Sequence, residues 1–289
     1  MTITTVGVVG GGLMGSGIAE VCASAGLRTR LAEINDDALT AARARIQRSL
    51  DRGRTSGKLT DARVANILGQ LEFTTDREQF RDCDIVVEAI REHLGEKQEM
   101  FADLDRIVPG HAILATNTSA LPIIDIASAT RHPERVVGTH FFNPAPVMKL
   151  LELVRSVATD DATMAGARGF GEVLGKRMIT AQDRAGFIVN LLLIPFLTQA
   201  VRMHEAGFAS REDIDDGMRL GCGHPMGPLE LLDHVGLDTT LSVCEALHAE
   251  YAKEDYAPPP VLRRMVSAGW LGKKSGRGFY TYAADGTRK

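Results

Sequence analysis

Two polar side chains lie where the sequence could support proton transfer. His140 in GTHFFNP ends an apolar run, and Glu152 in KLLELV lies in the next one. If both runs are strands joined by a turn at Asn143–Pro146, the carboxylate can hold one imidazole nitrogen protonated. The other nitrogen is then free to accept a hydroxyl proton. A single histidine after a strand can equally be structural, so the predicted base depends on a cofactor that accepts hydride.

A glycine-rich loop near the start of the chain predicts that cofactor. VGVVGGGLMGSG carries a GxGxxG arrangement between a strand, Val6–Val9, and a helix, Leu13–Ala25. Glycines at these positions permit a tight turn, close approach of the backbone to a pyrophosphate, and close helix–strand packing. The positive end of the helix favours the phosphate charge. The predicted contacts of this loop are Gly10, Gly12, Leu13, Met14 and Gly15.

Glu33 predicts which dinucleotide binds. It ends the second strand, Thr29–Glu33, at the distance from the glycine loop expected for a carboxylate that binds the adenosine ribose. A carboxylate there repels the 2′-phosphate of NADP. Arg28 and Arg30 are close in sequence, but alternation along the strand places them on the opposite face. NAD is therefore predicted, with NADP as the less favoured alternative.

The order of the elements predicts the fold that positions these residues. Short Val/Ile-rich runs alternate with helical patterns as far as about residue 180, which is typical of βαβ units around a parallel sheet. Helical segments alone follow, separated by Gly and Pro. We predict a Rossmann-type α/β domain over residues 1–185 and an all-α domain over residues 186–289. The remaining predicted strands are Leu71–Thr74, Ile85–Glu88, Ala112–Ala115, Arg135–His140 and Lys149–Val154.

Composition excludes several other classes of protein. The 289 residues are 44% hydrophobic and 24% charged, which is ordinary for a globular chain. The net charge of −4 provides no field that would gather nucleic acid. The four cysteines form no CxxC pair, so neither a disulfide framework nor a metal site is predicted. Without a signal-peptide pattern or an apolar run of membrane-spanning length, we expect a cytoplasmic protein with no membrane partner.

Several longer segments together resemble one known family. GGGLMGSGIAE, VVEAI, ATNTSALPI, GTHFFNPAPVMKLLELV, DRAGFIVN, HPMGPLELLDHVGLD and GKKSGRGFY are similar, in this order, to the L-3-hydroxyacyl-CoA dehydrogenase family in its short bacterial form. The resemblance covers essentially the whole chain. It implies NAD-dependent oxidation of (3S)-3-hydroxyacyl-CoA, in particular 3-hydroxybutyryl-CoA, and the reverse reduction of acetoacetyl-CoA.

The resemblance also implies roles for individual residues. It makes His140 and Glu152 the catalytic pair. Ser119 and Asn190 would hold the substrate oxygen, so that both predicted domains would contribute to the site. With Asn117 added from the TNTS segment, the expected ribose and nicotinamide contacts are Glu33, Glu92, Lys97, Asn117, Ser119, Asn143 and Lys274.

A basic segment, RSLDRGRTSGKL, is the candidate site for coenzyme A. Its cations could bind the phosphates of the coenzyme, although a solvated basic loop is an equally good interpretation. The family's serine is matched by Ser49, whereas its lysine falls near Ser56, so that Arg54 or Lys58 would have to substitute. The predicted substrate contacts here are Ser49, Arg52, Arg54 and Lys58.

Other substrates remain open alternatives. Ala120 stands where the family usually has serine, and His93 where it usually has asparagine. Neither change affects a proton-transfer residue, but both leave room for a 3-hydroxyacyl group carried on a carrier protein. A dehydrogenase of a free hydroxy or sugar acid, of the L-gulonate type, would use the same His–Glu pair. A dinucleotide-binding protein without catalysis is disfavoured by the presence of all four catalytic candidates.

The apolar helix LLLIPFLTQAV predicts a partner surface. It is too apolar all round for a solvated helix, so it should be buried against other helices or a second subunit. We expect a homodimer formed through residues 187–282.

Overall fold

The computed structural model of the protein describes residues 2–289. The chain forms two compact units, one ending at Arg184 and the other running from Ala185 to Lys289. Each unit has its own secondary-structure class, as the sequence predicts. The first is α/β and the second is helical.

The first unit is built on one mixed sheet. Its eight strands among the described residues lie in the order β3-β2-β1-β4-β5-β6-β7-β8. All neighbours are parallel except β6 and β7, which are antiparallel. The strands are β1 Thr5–Val9, β2 Arg28–Ala32, β3 Leu71–Thr74, β4 Ile85–Glu88, β5 Ile113–Thr116, β6 Val136–Phe141, β7 Leu150–Arg155 and β8 Arg177–Gln182. The first six follow the doubly wound order, in which β1 and β4 flank the topological switch point where nucleotides bind. The predicted Rossmann-type fold is confirmed.

Helices connect and cover these strands. Those of the first unit are α1 Leu13–Ser24, α2 Asp36–Thr55, α3 Asp61–Gly69, α4 Leu94–Ile107, α5 Ile123–Ala127 and α6 Asp161–Val173. The core is continuous between sheet and helices, since β-strand residues such as Val8 and Val87 are fully buried with Ile18 of α1 and Ile46 of α2. Burial on both faces explains why β1 and β4 are uninterrupted apolar runs.

The sequence did not predict β8. Its residues RMITAQ form the edge of the sheet beside β7, and most of them are exposed or half-buried. An edge strand of this kind needs no apolar run, so its sequence lacks the pattern that identified the others. Of the seven predicted strands, two have the observed bounds, one is a residue too short, and four are shifted by one residue. Glu33, for example, lies directly after β2 instead of ending it.

The second unit is helical. Its helices are α7 Val189–Glu205, α8 Arg211–Asp216, α9 Pro228–Val235, α10 Leu237–Tyr251 and α11 Pro260–Ser267. The C-terminal segment packs back on them, as expected from its aromatic residues. The buried Asp233 carboxylate accepts hydrogen bonds from the Phe279 and Tyr280 amides at 2.9 and 2.8 Å. Within residues 2–289, no helix combines the length and apolar character needed to cross a membrane.

Candidate active site

The glycine loop lies between β1 and α1 and has two kinds of glycine. Gly10 has φ +90°, and a Cβ there would lie 2.8 Å from the Ala89 carbonyl oxygen. A Cβ on Gly15 would lie 1.7 Å from the Gly10 carbonyl oxygen. By contrast, a Cβ on Gly12 would have no described protein atom within 4 Å. The first two glycines are required by packing, and the third keeps the backbone accessible where α1 begins, as a bound diphosphate needs.

Glu33 lies beside this loop. Its Oε1 atom accepts a hydrogen bond from the Gly11 amide at 2.6 Å, and its Oε2 atom accepts one from the Ile34 amide at 3.1 Å. These bonds hold the carboxylate at the carboxyl end of β2, next to the strand that carries the glycine loop. The geometry suits an acceptor for ribose hydroxyls.

The arginines near Glu33 are engaged elsewhere. Arg30 Nε lies 2.7 Å from Glu72, and its guanidinium also binds Asp82. Hydrogen bonding to Asp82, partly opposed by burial, raises the pKa of Arg30. Arg28 pairs with Glu72 at 2.9 Å. Both arginines therefore lie on the face opposite Glu33, as alternation predicts, and are neutralised there.

A cavity of about 630 Å³ joins the glycine loop to the strand ends. Its walls come from the carboxyl ends of β1, β2 and β4 and from the start of α4. They include Gly10, Gly12, Glu33, Ile34, Ala89 and Ile90. Arg77, which the sequence did not single out, also lines it and pairs with Asp103 at 2.8 Å. The cavity lies at the switch point of the sheet, where this fold binds dinucleotides.

His140 and Glu152 form the predicted pair. They are directly opposite each other in the antiparallel register of β6 and β7. The Nδ1 atom of His140 lies 2.7 Å from Oε2 of Glu152, and the two residues are 4% and 0% exposed. Because a carboxylate can only accept here, Nδ1 must carry the proton of this hydrogen bond. The Nε2 atom is thereby left as the acceptor, and it lies 3.2 Å from the Ser119 hydroxyl oxygen.

Ser119 follows β5 in a loop that Glu92 holds. The Oε1 atom of Glu92 accepts hydrogen bonds from the Ser119 amide at 2.8 Å, the Ala120 amide at 3.3 Å and the Thr118 hydroxyl. Ala120 thus contributes its backbone, so the missing hydroxyl at this position does not remove the contact. Glu92 shapes the loop, and its predicted contact with the cofactor stays a prediction.

Two further predicted cofactor residues have structural partners here. Asn117 Oδ1 accepts a hydrogen bond from the Phe141 amide at 2.9 Å, which ties the end of β5 to the end of β6 beside His140. Lys97 of α4 is 1% exposed, and its Nζ atom lies 2.6 Å from Glu88 and 3.4 Å from Glu92. Asn143, also expected at the cofactor, is exposed in the loop after β6. Direct contacts of these three with a cofactor stay predictions.

The candidate coenzyme A residues lie on the hairpin of α2 and α3. Burial raises the pKa of the Glu20 carboxyl on α1, against the opposing effects of the Ser49 hydroxyl and of the charge on Arg52. Arg54 lies 3.3 Å from Asp51 and 3.5 Å from Asp61, while Arg52 and Lys58 are exposed. The hairpin presents cations at its surface, but Arg54 already has two carboxylates beside it.

Two predicted site residues belong to the second unit. Asn190 lies in the first turn of α7 and is half-buried. Lys274 lies in a short helical turn, Lys273–Ser275, with its Nζ atom 2.6 Å from Asp238. Their assignments to substrate and cofactor stay predictions.

One buried charge at the site was missed. Glu88 ends β4 and is 0% exposed, with Lys97 bound to it. The sequence could have identified Glu88, because this acidic residue ends the apolar run IVVE. A carboxylate buried in such a run must be paired with another polar group. Its partners could not be identified from the sequence because they come from α4 and β5.

The fold and the site together define a class of protein. A doubly wound sheet with a glycine loop and an acidic residue after β2 is a dinucleotide-binding architecture, and a buried His–Glu pair near the carboxyl end of β6 has the chemistry that a general base requires. Family models agree with this class. Residues 5–184 match the 3-hydroxyacyl-CoA dehydrogenase NAD-binding domain, and residues 186–282 match the C-terminal domain of the same family. The chain belongs to the 3-hydroxyacyl-CoA dehydrogenase family and is an NAD-dependent oxidoreductase.

Individual relatives cover nearly all of both chains. The chain is 51% identical to 3-hydroxybutyryl-CoA dehydrogenase of Mycobacterium tuberculosis, over 97% of this chain and 99% of the relative. It is 44% identical to the mitochondrial hydroxyacyl-coenzyme A dehydrogenase of Rattus norvegicus, over 97% and 91%. The crystal structure of (S)-3-hydroxybutyryl-CoA dehydrogenase from Ralstonia eutropha is 43% identical and superposes with a TM-score of 0.92, over 98% of this chain and 100% of that chain.

Proposed function

We propose that the protein interconverts 3-hydroxybutyryl-CoA and acetoacetyl-CoA, with His140 as general acid and base and Glu152 as the residue that orients it. The observation that carries this proposal is the continuous contact from Glu152 to His140 to Ser119, with distances of 2.7 and 3.2 Å. At one end of this row of contacts is the fully buried carboxylate of Glu152. At the other end is the hydroxyl of Ser119, beyond the carboxyl edge of the sheet, where substrates of such folds react.

The residues around the cavity suit NAD. The accessible backbone at Gly12 would receive the diphosphate, and Glu33 would accept hydrogen bonds from the adenosine ribose. When bound, NAD supplies a hydride acceptor for the carbon that bears the substrate hydroxyl. The negative charge of Glu33 and the neutralised Arg30 favour NAD over NADP.

His140 moves the proton. In the oxidative direction its Nε2 atom takes the proton of the 3-hydroxyl group, and the imidazole becomes an imidazolium. Glu152 stabilises that cation because it is bonded to Nδ1 and fully buried, where a charge pair is strong. In the reductive direction the imidazolium returns the proton to the carbonyl oxygen.

Ser119 fixes the oxygen on which this proton acts. Its hydroxyl reaches Nε2 of His140 and can donate a hydrogen bond to a substrate oxygen in the same place. The amides of Ser119 and Ala120 are both bonded to Glu92, which limits movement of the loop. A substrate oxygen is thus held between the serine hydroxyl and the histidine nitrogen.

The cations of the α2–α3 hairpin would bind the phosphates of coenzyme A. Arg52 and Lys58 are exposed on this hairpin. Several cations on one surface favour a coenzyme A thioester, which carries phosphates, over a free hydroxy acid, which carries a single carboxylate.

The test is oxidation of NADH by purified protein with acetoacetyl-CoA, compared with free acetoacetate, L-gulonate in the reverse direction and a carrier-bound 3-ketoacyl group. We expect the highest kcat/KM with acetoacetyl-CoA and lower values with NADPH. His140→Gln should remove turnover while NADH binding, measured by fluorescence, is retained, and Asn190→Ala tests its expected contribution in the same assay. Absence of activity on every acyl thioester would overturn the proposal.

We further propose that two copies associate through the second unit. Leu192 of α7, Phe208 and Leu220 are large apolar side chains that are exposed on this unit. Several such residues on one small unit favour a protein partner, here a second copy of the chain. Light scattering should give the mass of a dimer, and Leu192→Glu with Phe208→Glu should shift it to a monomer. A monomeric wild type would contradict the proposal.

A further inference from the structure

A buried charged cluster connects the nucleotide side of the sheet to the Ser119 loop. Glu88, at the end of β4, receives three hydrogen bonds. Its Oε1 atom accepts from the Lys97 ammonium at 2.6 Å and from the Ile90 amide at 2.7 Å, and its Oε2 atom accepts from the Thr116 hydroxyl at 2.7 Å. Glu88 and Lys97 are 0% and 1% exposed. Ions are costly to bury, so a pair with this many partners has a fixed geometry.

The cluster continues through Lys97 to Glu92. The Lys97 Nζ atom lies 3.4 Å from Oε2 of Glu92, whose other oxygen holds the Ser119 and Ala120 amides. One ammonium group therefore lies between two carboxylates, and its position sets the position of Glu92. Glu92 is the exposed end of the cluster, whereas Glu88 is its fully buried end.

We propose that Glu88 is a positioning residue for the reaction. It anchors Lys97, Lys97 holds Glu92, and Glu92 keeps the Ser119 loop where the serine hydroxyl meets Nε2 of His140 at 3.2 Å. Glu88 itself lies too deep to touch a substrate. This inference rests on the proposed function, because it assigns Glu88 an effect on the oxygen-binding role of Ser119.

Removal of the charge on Glu88 has a defined consequence. In Glu88→Gln the side chain keeps its size and one acceptor, but the ammonium of Lys97 is left with Glu92 as its only carboxylate. Lys97 then forms a shorter and stronger contact with Glu92, which displaces Glu92 and, with it, the loop of residues 118–120. Displacement of a substrate-positioning group by about 1 Å can lower the rate by about 10²-fold. We expect kcat for acetoacetyl-CoA to fall by roughly tenfold to hundredfold.

A double-mutant cycle distinguishes positioning from general support of the fold. If Glu88 acts through Ser119, then Glu88→Gln should lower kcat at least about tenfold in the wild-type background but less than about threefold in Ser119→Ala, since effects along one chain of contacts are not additive. Glu72→Gln is the matched control. It also neutralises a strand carboxylate bound to a cation, but in β3, and should leave kcat unchanged.

Each other outcome overturns the inference. A loss of about threefold or more in the Ser119→Ala background would show that Glu88 supports the fold without acting through Ser119, and a loss below about tenfold in the wild-type background would show no positioning at all. Should Glu88→Gln not fold, Glu88→Asp enters the same cycle, because it keeps the buried charge but shortens the reach of the carboxylate to Lys97. A wild-type protein inactive on all acyl thioesters would instead contradict the proposed function, which separates the two failures.

Discussion

The Nδ1 atom of His140 lies 2.7 Å from Oε2 of Glu152, at directly paired positions of two antiparallel strands. Because the side chains of paired residues project to the same face, the register of β6 and β7 by itself brings base and carboxylate together. The loop between the two strands needs only to reverse the direction of the chain. The proton-transfer geometry is therefore a property of the sheet, and loop conformation does not decide it.

Neutralising Glu152 should slow the chemical step selectively. Glu152→Gln keeps an acceptor for Nδ1 but removes the charge that stabilises the imidazolium, so we expect kcat for acetoacetyl-CoA to fall by about 10²-fold or more. The dissociation constant of NADH, measured by fluorescence, should stay within about twofold, since Glu152 lies outside the residues that line the cavity. Glu172→Gln, on the exposed face of α6, is the control. Unchanged kcat in Glu152→Gln would contradict the assigned role.

Cofactor preference should depend on the charge of Glu33. Glu33→Gln retains an oxygen for the Gly11 amide but no longer repels a 2′-phosphate. We expect kcat/KM for NADPH to rise by about tenfold, equivalent to about 1.4 kcal/mol, while kcat/KM for NADH falls. Asp37→Asn, exposed in the first turn of α2, controls for a general change in surface charge. If both variants shift the preference equally, the effect is not specific to Glu33.

Substitutions at two glycines of the same loop should have different effects, one on NADH binding and the other on stability. Gly12→Ala adds a methyl group where no described protein atom lies within 4 Å, so folding should be unaffected while the dissociation constant of NADH rises by at least about tenfold. Gly15→Ala places a Cβ 1.7 Å from the Gly10 carbonyl oxygen and should lower the free energy of unfolding by about 2 kcal/mol or more. Urea denaturation and NADH fluorescence measure both effects. Equal behaviour of the two variants would contradict the assigned division between packing and binding.

The residues that could be predicted from the sequence are those whose positions depend on local patterns. Glu33 directly follows β2 and His140 lies one residue before the end of β6, and parallel strands bring such ends to one edge. Glu152 was predicted opposite His140 because a turn at Asn143–Pro146 reverses the chain. Period-two alternation also placed Arg28 and Arg30 away from Glu33, which the ion pairs with Glu72 and Asp82 confirm.

The contacts that could not be predicted are side-chain pairs between elements distant in sequence. Glu88 meets Thr116 of β5 and Lys97 of α4. Each pairing depends on how helices lie on the sheet, which no local pattern encodes. The strand β8 was missed for a related reason, since it is defined by pairing with β7 and not by its own composition.

A second buried ion pair links the helix that carries Lys97 to the strand that carries His140. Asp105 of α4 accepts hydrogen bonds from Arg135, which precedes β6, at 2.6 Å and from the Arg131 amide at 2.9 Å. Although burial favours the neutral acid, these bonds lower the pKa of the Asp105 carboxyl below its ordinary value. Both side chains are nearly inaccessible, so loss of the charge on either partner leaves the other buried charge without its nearest counter-charge.

Asp105→Asn should therefore destabilise the protein in a pH-dependent way. A carboxyl whose pKa is lowered by folding stabilises the native state above its unfolded pKa, and this contribution is lost as the pH falls through the folded value. At pH 7 we expect a loss of about 3 kcal/mol in the free energy of unfolding, measured with urea. The difference from wild type should begin to shrink below about pH 5. Asp61→Asn, whose carboxylate is 86% exposed, should show a small difference that does not change with pH. A loss in Asp105→Asn that stayed constant from pH 7 to about pH 3 would mean that the bond geometry, and not the charge of Asp105, stabilises this link between α4 and β6.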